Sequence, residues 1–391
     1  VARQARYLFG NRISLLQNGE DFFTALERAI GAAKNSIWIE TYIFADDPTG
    51  LRIRDALMTA SLRGVEVRVV IDGFGSSTLP PGWWDTFDQA GGELRIYRRE
   101  RGWWPLRKSR LRRLHRKLAV VDGQLAFTGG INIQDDWDIP GQTAPRFDFA
   151  VQMEGPLVDR VIMAMEKLWW RMEWRNPVSL ISSLADRSSS IISQPATGGM
   201  KAALLLRDNL RHRFDIEQAY LEAIKSARHE ILIANAYFLP GHRFRRALVE
   251  AVHRGIRVRL LLQGMVEYRL QHAATRALYG ALLDAGVEIH EYLPSHLHAK
   301  VAVVDTDWST VGSSNIDPFS LLLAREANVV IQDTGFSGEL KARLEQAIIS
   351  QSQRIEASAW REQPFFTRLR CWLAYGLVRW GMGVAGLLKQ W

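Results

Sequence analysis

Three observations predict an α/β fold built from two duplicated halves. Strand-type runs alternate with helix-type runs along the chain. The pattern of the first half recurs in the second. One motif occurs twice: Leu114-His115-Arg116-Lys117-Leu118-Ala119-Val120-Val121-Asp122 followed by Gly129 and Asn132, and Leu297-His298-Ala299-Lys300-Val301-Ala302-Val303-Val304-Asp305 followed by Gly312 and Asn315. Both read H-x-K-x4-D-x6-G-x2-N, and the copies stand 183 residues apart at every motif position. A repeat of this length is a duplicated domain rather than a solenoid unit.

In chain order, Ile13–Leu16 reads as a strand. A helix over Asn18–Ala33 carries Phe22, Leu26, Ala29, Ile30 and Ala33 on one face. Ser36–Phe44 is strand-type, Leu51–Arg63 is a helix that Gly64 can cap, and Val65–Asp72 and Glu93–Tyr97 are strands. The second half repeats this with Leu204–Leu206, Phe214–Ala227, Glu230–Phe238, Phe244–Arg254 and Val258–Gln263, placing Tyr237 opposite Tyr42. The alternation predicts mainly parallel sheets. We divide the chain into a first half (1–176), a Ser/Gly-rich linker (177–200), a second half (201–352) and an apolar, basic tail (353–391).

Each motif is β-branched and apolar after its Lys, as a buried strand is. Alternation then puts His115 and Lys117 on one face, and likewise His298 and Lys300. An imidazole can act as nucleophile or general acid near neutral pH, and a nearby ammonium can hold an anion against it. The amides of Asn132 and Asn315 are candidate phosphate donors. Asp122 and Asp305 complete the candidate catalytic sets, where we read them as structural hydrogen-bond partners. The chain offers neither H-E-x-x-H nor a Cys/His ligand set, so neither metal nor cofactor is expected.

Two H-x-K-x4-D motifs in one chain resemble the phospholipase D superfamily. The resemblance implies two α/β/α sandwich halves packed about a pseudo-twofold axis, with both His motifs at one site. It implies a covalent phosphohistidine, with the first-half His115 as nucleophile by family precedent and His298 as acid; the motifs are too alike to decide this by themselves. In that superfamily an acidic residue 25 to 35 positions after the His orients it. Asp148, in Arg146-Phe147-Asp148, and Glu326, in Arg325-Glu326-Ala327, hold those places after His115 and His298 respectively. The competing reading of each is an ion pair with the neighbouring Arg.

Charge and aromatic residues bear on the partner. The net charge of +8 favours an anionic partner, nucleic acid or an acidic membrane. The first half carries about twelve extra residues before its motif, within 98–113, where eight of sixteen residues are basic and one is acidic. Trp103, Trp104, Arg107, Lys108, Arg110, Arg112 and Arg113 in this stretch suit an anionic membrane surface, though a phosphate clamp uses the same residue types. The tail, with Trp372, Trp380 and Trp391 among apolar residues and interrupting Arg, suits an interfacial helix; its alternative is a helix docked on the core. Trp169–Arg175 fits either surface or core. No uncharged stretch is long enough to span a bilayer, and the N-terminus lacks the apolar core of a signal peptide. The single cysteine, Cys371, fits a reducing compartment.

Further stretches resemble the bacterial cardiolipin synthases of this superfamily, in the form without N-terminal membrane helices: Leu16-Gln17-Asn18-Gly19-Glu20, Glu40-Thr41-Tyr42-Ile43-Phe44, Ile71-Asp72-Gly73, Met153-Glu154-Gly155-Pro156, Ile233-Ala234-Asn235-Ala236-Tyr237-Phe238 and Val311-Gly312-Ser313-Ser314-Asn315-Ile316-Asp317-Pro318. The resemblance implies phosphatidyl transfer between two phosphatidylglycerols with release of glycerol, by a peripheral or monotopic protein on the cytoplasmic face of a bacterial inner membrane. Phosphatidylglycerol and anionic lipids are the expected partners, and nucleic acid is not. A hydrolytic phospholipase D, a nuclease of the superfamily and a non-catalytic anionic-lipid-binding protein are the alternatives.

Overall fold

Strands of both halves join one fifteen-stranded sheet. The computed structural model describes residues 5–99, 112–172, 196–208, 212–317 and 324–384. The first half contains β1 (Leu8–Gln17), α1 (Asn18–Ala32), β2 (Ser36–Thr41), α2 (Pro48–Leu62), β3 (Glu66–Asp72), α3 (Asp85–Gln89), β4 (Glu93–Tyr97), β5 (Lys117–Val121), β6 (Leu125–Gly129), β7 (Phe149–Glu154) and α4 (Leu157–Met172). The second contains β8 (Met200–Arg207), α5 (Asp215–Ser226), β9 (Glu230–Asn235), α6 (His242–His253), β10 (Arg257–Gln263), α7 (Arg269–Arg276), α8 (Tyr279–Asp284), β11 (Glu288–Tyr292), β12 (Lys300–Val304), β13 (Trp308–Gly312), β14 (Glu326–Gln332), α9 (Thr334–Gln351) and β15 (Ser352–Ile355). Helices α10 (Ala357–Arg361) and α11 (Phe365–Val384) follow.

The strand order is β4-β3-β2-β5-β6-β7-β1-β8-β14-β13-β12-β9-β10-β11-β15. Exchanging each strand for its duplicate reverses this order about the antiparallel β1–β8 pair, which therefore carries the pseudo-twofold axis. Only β15, added at one edge, breaks the symmetry; it places residues 353–355 in the sheet rather than in the tail.

The sheets are not mainly parallel. Parallel pairing is confined to β2-β3-β4 and β9-β10-β11. The motif strands instead run antiparallel to both neighbours. The reason lies in the residues after each motif. Asp122 and Gly123 adopt φ of 51° and 66°, and the Gln124 N–H donates to the Val121 carbonyl at 3.0 Å. Such a turn reverses the chain within a hairpin instead of sending it through a crossover helix.

Outer helices form as their apolar spacing predicts. Helix α1 buries Phe22, Phe23, Leu26, Ala29 and Ile30. Helix α2 opens with Pro48, and the Asp47 carboxylate caps it by accepting the Gly50 N–H at 2.7 Å. Each half has its own outer core, with Leu57 and Phe87 in the first and Tyr220 and Leu248 in the second. A third cluster combines Trp38, Met153 and Trp169 with Leu232, Val303 and Leu344, tying the halves together. Helices α4 and α9 line it, so each half-sheet has helices on both faces. Trp169 is core: its ring lies 5.7 Å from Trp38 and 3.8 Å from the Arg95 guanidinium.

The tail docks on the core through one face and leaves an apolar face exposed. In α11, Cys371, Ala374, Tyr375, Val378 and Met382 are buried, and the helix packs on α7. Its other side exposes Phe366, Trp372, Leu373, Leu377 and Trp380. No helix among the described residues is long and apolar enough to cross a membrane. Trp103, Trp104, Arg107, Lys108, Arg110 and Trp391, and linker residues 177–195, lie outside the described residues.

Candidate active site

Lys117 and Lys300 are the first residues of β5 and β12, whose five residues are all buried. Each His precedes its strand by two positions, where the chain leaves its own sheet and meets the other half. Leu114 bridges Arg325, and Phe147 bridges Leu297. The His115 N–H donates to the Arg325 carbonyl at 3.0 Å, and the His298 N–H to the Phe147 carbonyl at 2.8 Å. Each His segment is thus held against the acid-bearing segment of the opposite half.

This crossing corrects the pairing that the spacing suggests. His115 Nδ1 meets Glu326 Oε2 at 3.0 Å, and His298 Nδ1 meets Asp148 Oδ2 at 2.6 Å. The acid 33 residues after His115 therefore serves the other histidine. Sequence distance cannot reveal this, because both arrangements use the same residues. Neither acid pairs with the adjacent Arg: Arg146 donates to Asp138 at 2.7 Å, and Arg325 donates to the Tyr97 hydroxyl at 3.2 Å. With Nδ1 engaged, each ring turns Nε2 away from its carboxylate, leaving that atom for chemistry.

The two acids are supported differently. The Ser313 hydroxyl donates to Glu326 Oε2 at 2.5 Å. Gly130 holds the equivalent position in the first half, and a Cβ there would lie 2.3 Å from Asp148 Oδ1. Gly130 thus makes room for Asp148 at the position where Ser313 donates to Glu326. Asp148 Oδ1 accepts the Phe149 N–H at 2.8 Å.

Burial dominates the electrostatics. It holds Lys117 down to about 7 and Lys300 down to about 8, partly opposed by Glu326 and Asp148. It lowers His115 as well, and His298 well below the usual imidazole range, with Lys300 and Arg146 adding repulsion. It raises Asp148 to about 7. Without an anion the site disfavours positive charge; a phosphodiester would restore it. The Lys117 ammonium donates to the His115 carbonyl at 2.7 Å, and Lys300 donates to that of His298.

The motif aspartates lie elsewhere. Asp122 accepts the N–H groups of Lys34, Asn35 and Ser36, and Asp305 those of Arg228, His229 and Glu230. Each sits at the far end of its strand, roughly 16 Å from the Lys at strand spacing. Their place among the catalytic candidates is withdrawn, and their structural reading matches these contacts. Asn132 and Asn315 follow β6 and β13 at the histidine end; Asn132 Oδ1 accepts the Ile43 N–H at 3.2 Å.

Arg113 is turned inward, with its side chain 14% exposed. It lies 3.6 Å from the buried Asp72 carboxylate and 4.8 Å from the Phe74 ring centroid, whereas Arg112 is exposed. Two residues quoted from the sequence without a role at the site belong there: Tyr42, whose ring is 4.9 Å from that of His115, and Asp72, which accepts the Leu114 N–H at 2.8 Å. The available signal was their place at equivalent strand ends in the two halves.

Residues 26–137 and 220–348 match the family described as cardiolipin synthase, PLD-like domain. The chain is 36% identical to cardiolipin synthase B of Escherichia coli K12 over 388 residues, covering 97% of this chain and 90% of that protein. It is 32% identical to cardiolipin synthase A of Pseudomonas aeruginosa over 340 residues, covering 86% of this chain and 67% of that protein. The crystal structure of phosphatidylserine synthase from Haemophilus influenzae shares the fold, with a TM-score of 0.71 at 14% identity over 96% of this chain and 95% of the other. With the family's domain matched in both halves and a relative aligned over nearly its whole length, this chain belongs to the cardiolipin synthase family of phospholipase D-like proteins.

Proposed function

We propose that this chain is a cardiolipin synthase, a phosphatidyltransferase that joins two phosphatidylglycerols and releases glycerol. The observation that carries the reading is the crossed pair of carboxylate-held histidines, each with a Lys two residues on, in a chain of this family. A phosphodiester is anionic and resists direct attack, so two displacements through a covalent intermediate lower the barrier. His115 Nε2 attacks phosphorus. The P–N bond forms as the P–O bond to glycerol breaks, and His298 Nε2 gives its proton to the departing oxygen. The incoming lipid hydroxyl then returns a proton to His298 as its oxygen displaces His115. Lys117, Lys300, Asn132 and Asn315 hold the non-bridging oxygens as charge shifts.

The transfer must reach a lipid hydroxyl before water does. The exposed face of α11, with Trp372 and Trp380 beside Arg368 and Arg379, supports attachment to an anionic membrane surface. A site at that surface concentrates acceptor lipid and excludes water. We place it on the cytoplasmic face, in keeping with the single cysteine. Purified protein with phosphatidylglycerol vesicles and EDTA, read by lipid mass spectrometry, tests the reading. Cardiolipin with free glycerol is expected. Phosphatidic acid alone would instead make the protein a hydrolase.

A further inference from the structure

Duplicated strands β3 and β10 end in different residues, Asp72 and Gln263. Both do the same backbone work. Asp72 Oδ2 accepts the Leu114 N–H at 2.8 Å, and Gln263 Oε1 accepts the Leu297 N–H at 2.6 Å. Each N–H belongs to the residue before a candidate catalytic histidine. What remains of the two side chains differs. Asp72 Oδ1 accepts the Phe74 N–H at 2.8 Å and faces Arg113 at 3.6 Å. Gln263 has a surplus donor. Its accepted bond fixes which amide atom is oxygen, and its Nε2 is buried without a hydrogen-bond partner among the described residues. The residue is 7% exposed, and a buried donor left unmade is costly enough to require an explanation.

Gln263 lines a pocket with Ala236, Tyr237, Glu267, Tyr268 and Thr275, of about 10 Å³, room for one water-sized group. The Tyr237 hydroxyl donates to the Glu267 carboxylate. The pocket adjoins the His298 segment: the Ala236 N–H donates to the Ala299 carbonyl at 2.9 Å, and Gln263 holds the Leu297 N–H on the other side of His298. At the corresponding turn of the first half, Arg113 instead lies over Phe74.

An amide donor, a carboxylate acceptor and a phenol suit a group that both gives and takes hydrogen bonds. A hydroxyl does so, and it is the size the pocket admits. A phosphate would meet the Glu267 charge, and an ammonium, which pairs with Glu267, has no acceptor for the Gln263 N–H. We propose that the pocket of Gln263, Glu267 and Tyr237 takes a second hydroxyl of the alcohol, beside the one that reacts, and thereby selects the acceptor. This rests on the phosphatidyl-transfer reading above. In-line displacement puts the departing and arriving oxygens opposite the nucleophile. A pocket on the His298 side therefore fits His115 as nucleophile, with His298 giving a proton to the departing oxygen and taking one from the next. One pocket then serves both alcohols, as it must when both end in glycerol.

The test offers wild-type protein in phosphatidylglycerol vesicles a mixture of deuterated glycerol, n-propanol and ethanolamine. Mass spectrometry reads the three phosphatidyl products as a ratio, which does not depend on overall rate. Wild type is expected to favour glycerol over propanol at least tenfold. Gln263→Glu keeps the bond to Leu297 and removes the donor; Glu267→Gln keeps shape and removes charge. Each is expected to cut the preference roughly tenfold, as loss of a hydrogen bond to a bound hydroxyl does. Tyr237→Phe is expected to move the ratio the same way. A ratio unchanged in the variants, or a wild-type preference for ethanolamine or propanol, overturns the pocket even if cardiolipin is made. Phosphatidic acid as the sole wild-type product overturns the transfer reading and the pocket with it.

Discussion

Replacing Glu326 by Gln leaves the side chain's shape but removes the carboxylate from His115, and Asp148→Asn does the same to His298. A hydrogen bond to a charged group contributes about 1.5–3 kcal/mol, or roughly 10- to 150-fold in rate. An amide can also hold the imidazole in the wrong tautomer, which costs about 10⁴-fold in the Ser-His-Asp triad. Losses of about 10- to 10⁴-fold are therefore expected for each variant, but in different steps. The assay uses a phosphatidyl ester of p-nitrophenol in vesicles, because that leaving group departs without a proton. Its burst reads formation of the phosphoenzyme and its steady state reads transfer onward. Glu326→Gln should slow the burst itself. Asp148→Asn should keep a burst and lose turnover. His115→Ala and His298→Ala identify which ring carries phosphorus. With His115 as carrier, a burst lost in Asp148→Asn and kept in Glu326→Gln would refute the crossed pairing.

Three further outcomes follow from the same geometry. Gly130→Ala places a Cβ 2.3 Å from Asp148 Oδ1, so it should displace that carboxylate and cut turnover about 100-fold, with burst kinetics like Asp148→Asn; wild-type turnover would contradict the packing. Lys117 and Lys300 titrate near 7 and 8 in the empty site, and a bound anion raises both; the bound state therefore holds more protons, and affinity should fall as pH rises from 7 to 9. Calorimetry of a phosphonate analogue in buffers of different ionisation enthalpy should show uptake of about one proton at pH 7.5, and none would refute this protonation scheme. Trp372→Ala and Trp380→Ala should each weaken binding to anionic vesicles roughly tenfold, since both side chains are more than half exposed; unchanged sedimentation would remove α11 from the membrane contact.

Several elements were legible because their signals are local. Helix α1 follows apolar spacing, and β5 and β12 follow β-branched runs, so periodicity locates them. The hairpin after β5 has a local signal in Asp122-Gly123, but the expectation of parallel sheets rests on strand–helix alternation alone and makes no use of it. Arg113 shows the limit of composition. Within a run of basic residues it looks like its neighbours, yet the chain turns inward there to reach His115, and its charge meets buried Asp72. The tail was ambiguous because one amphipathic helix can satisfy both readings with opposite faces.

By itself, the sequence determined the duplication, the α/β class and the two His-Lys pairs, because each is carried by residues within one short stretch. Tertiary structure decided which acid holds which histidine, that Asp122 and Asp305 close turns, and that Gln263 keeps a surplus donor once its oxygen holds Leu297. These depend on the antiparallel β1–β8 pair and on the bridges Leu114–Arg325 and Phe147–Leu297, which join residues far apart in the chain. Local propensity carries no information about such contacts; they arise when two similar halves bury a common core.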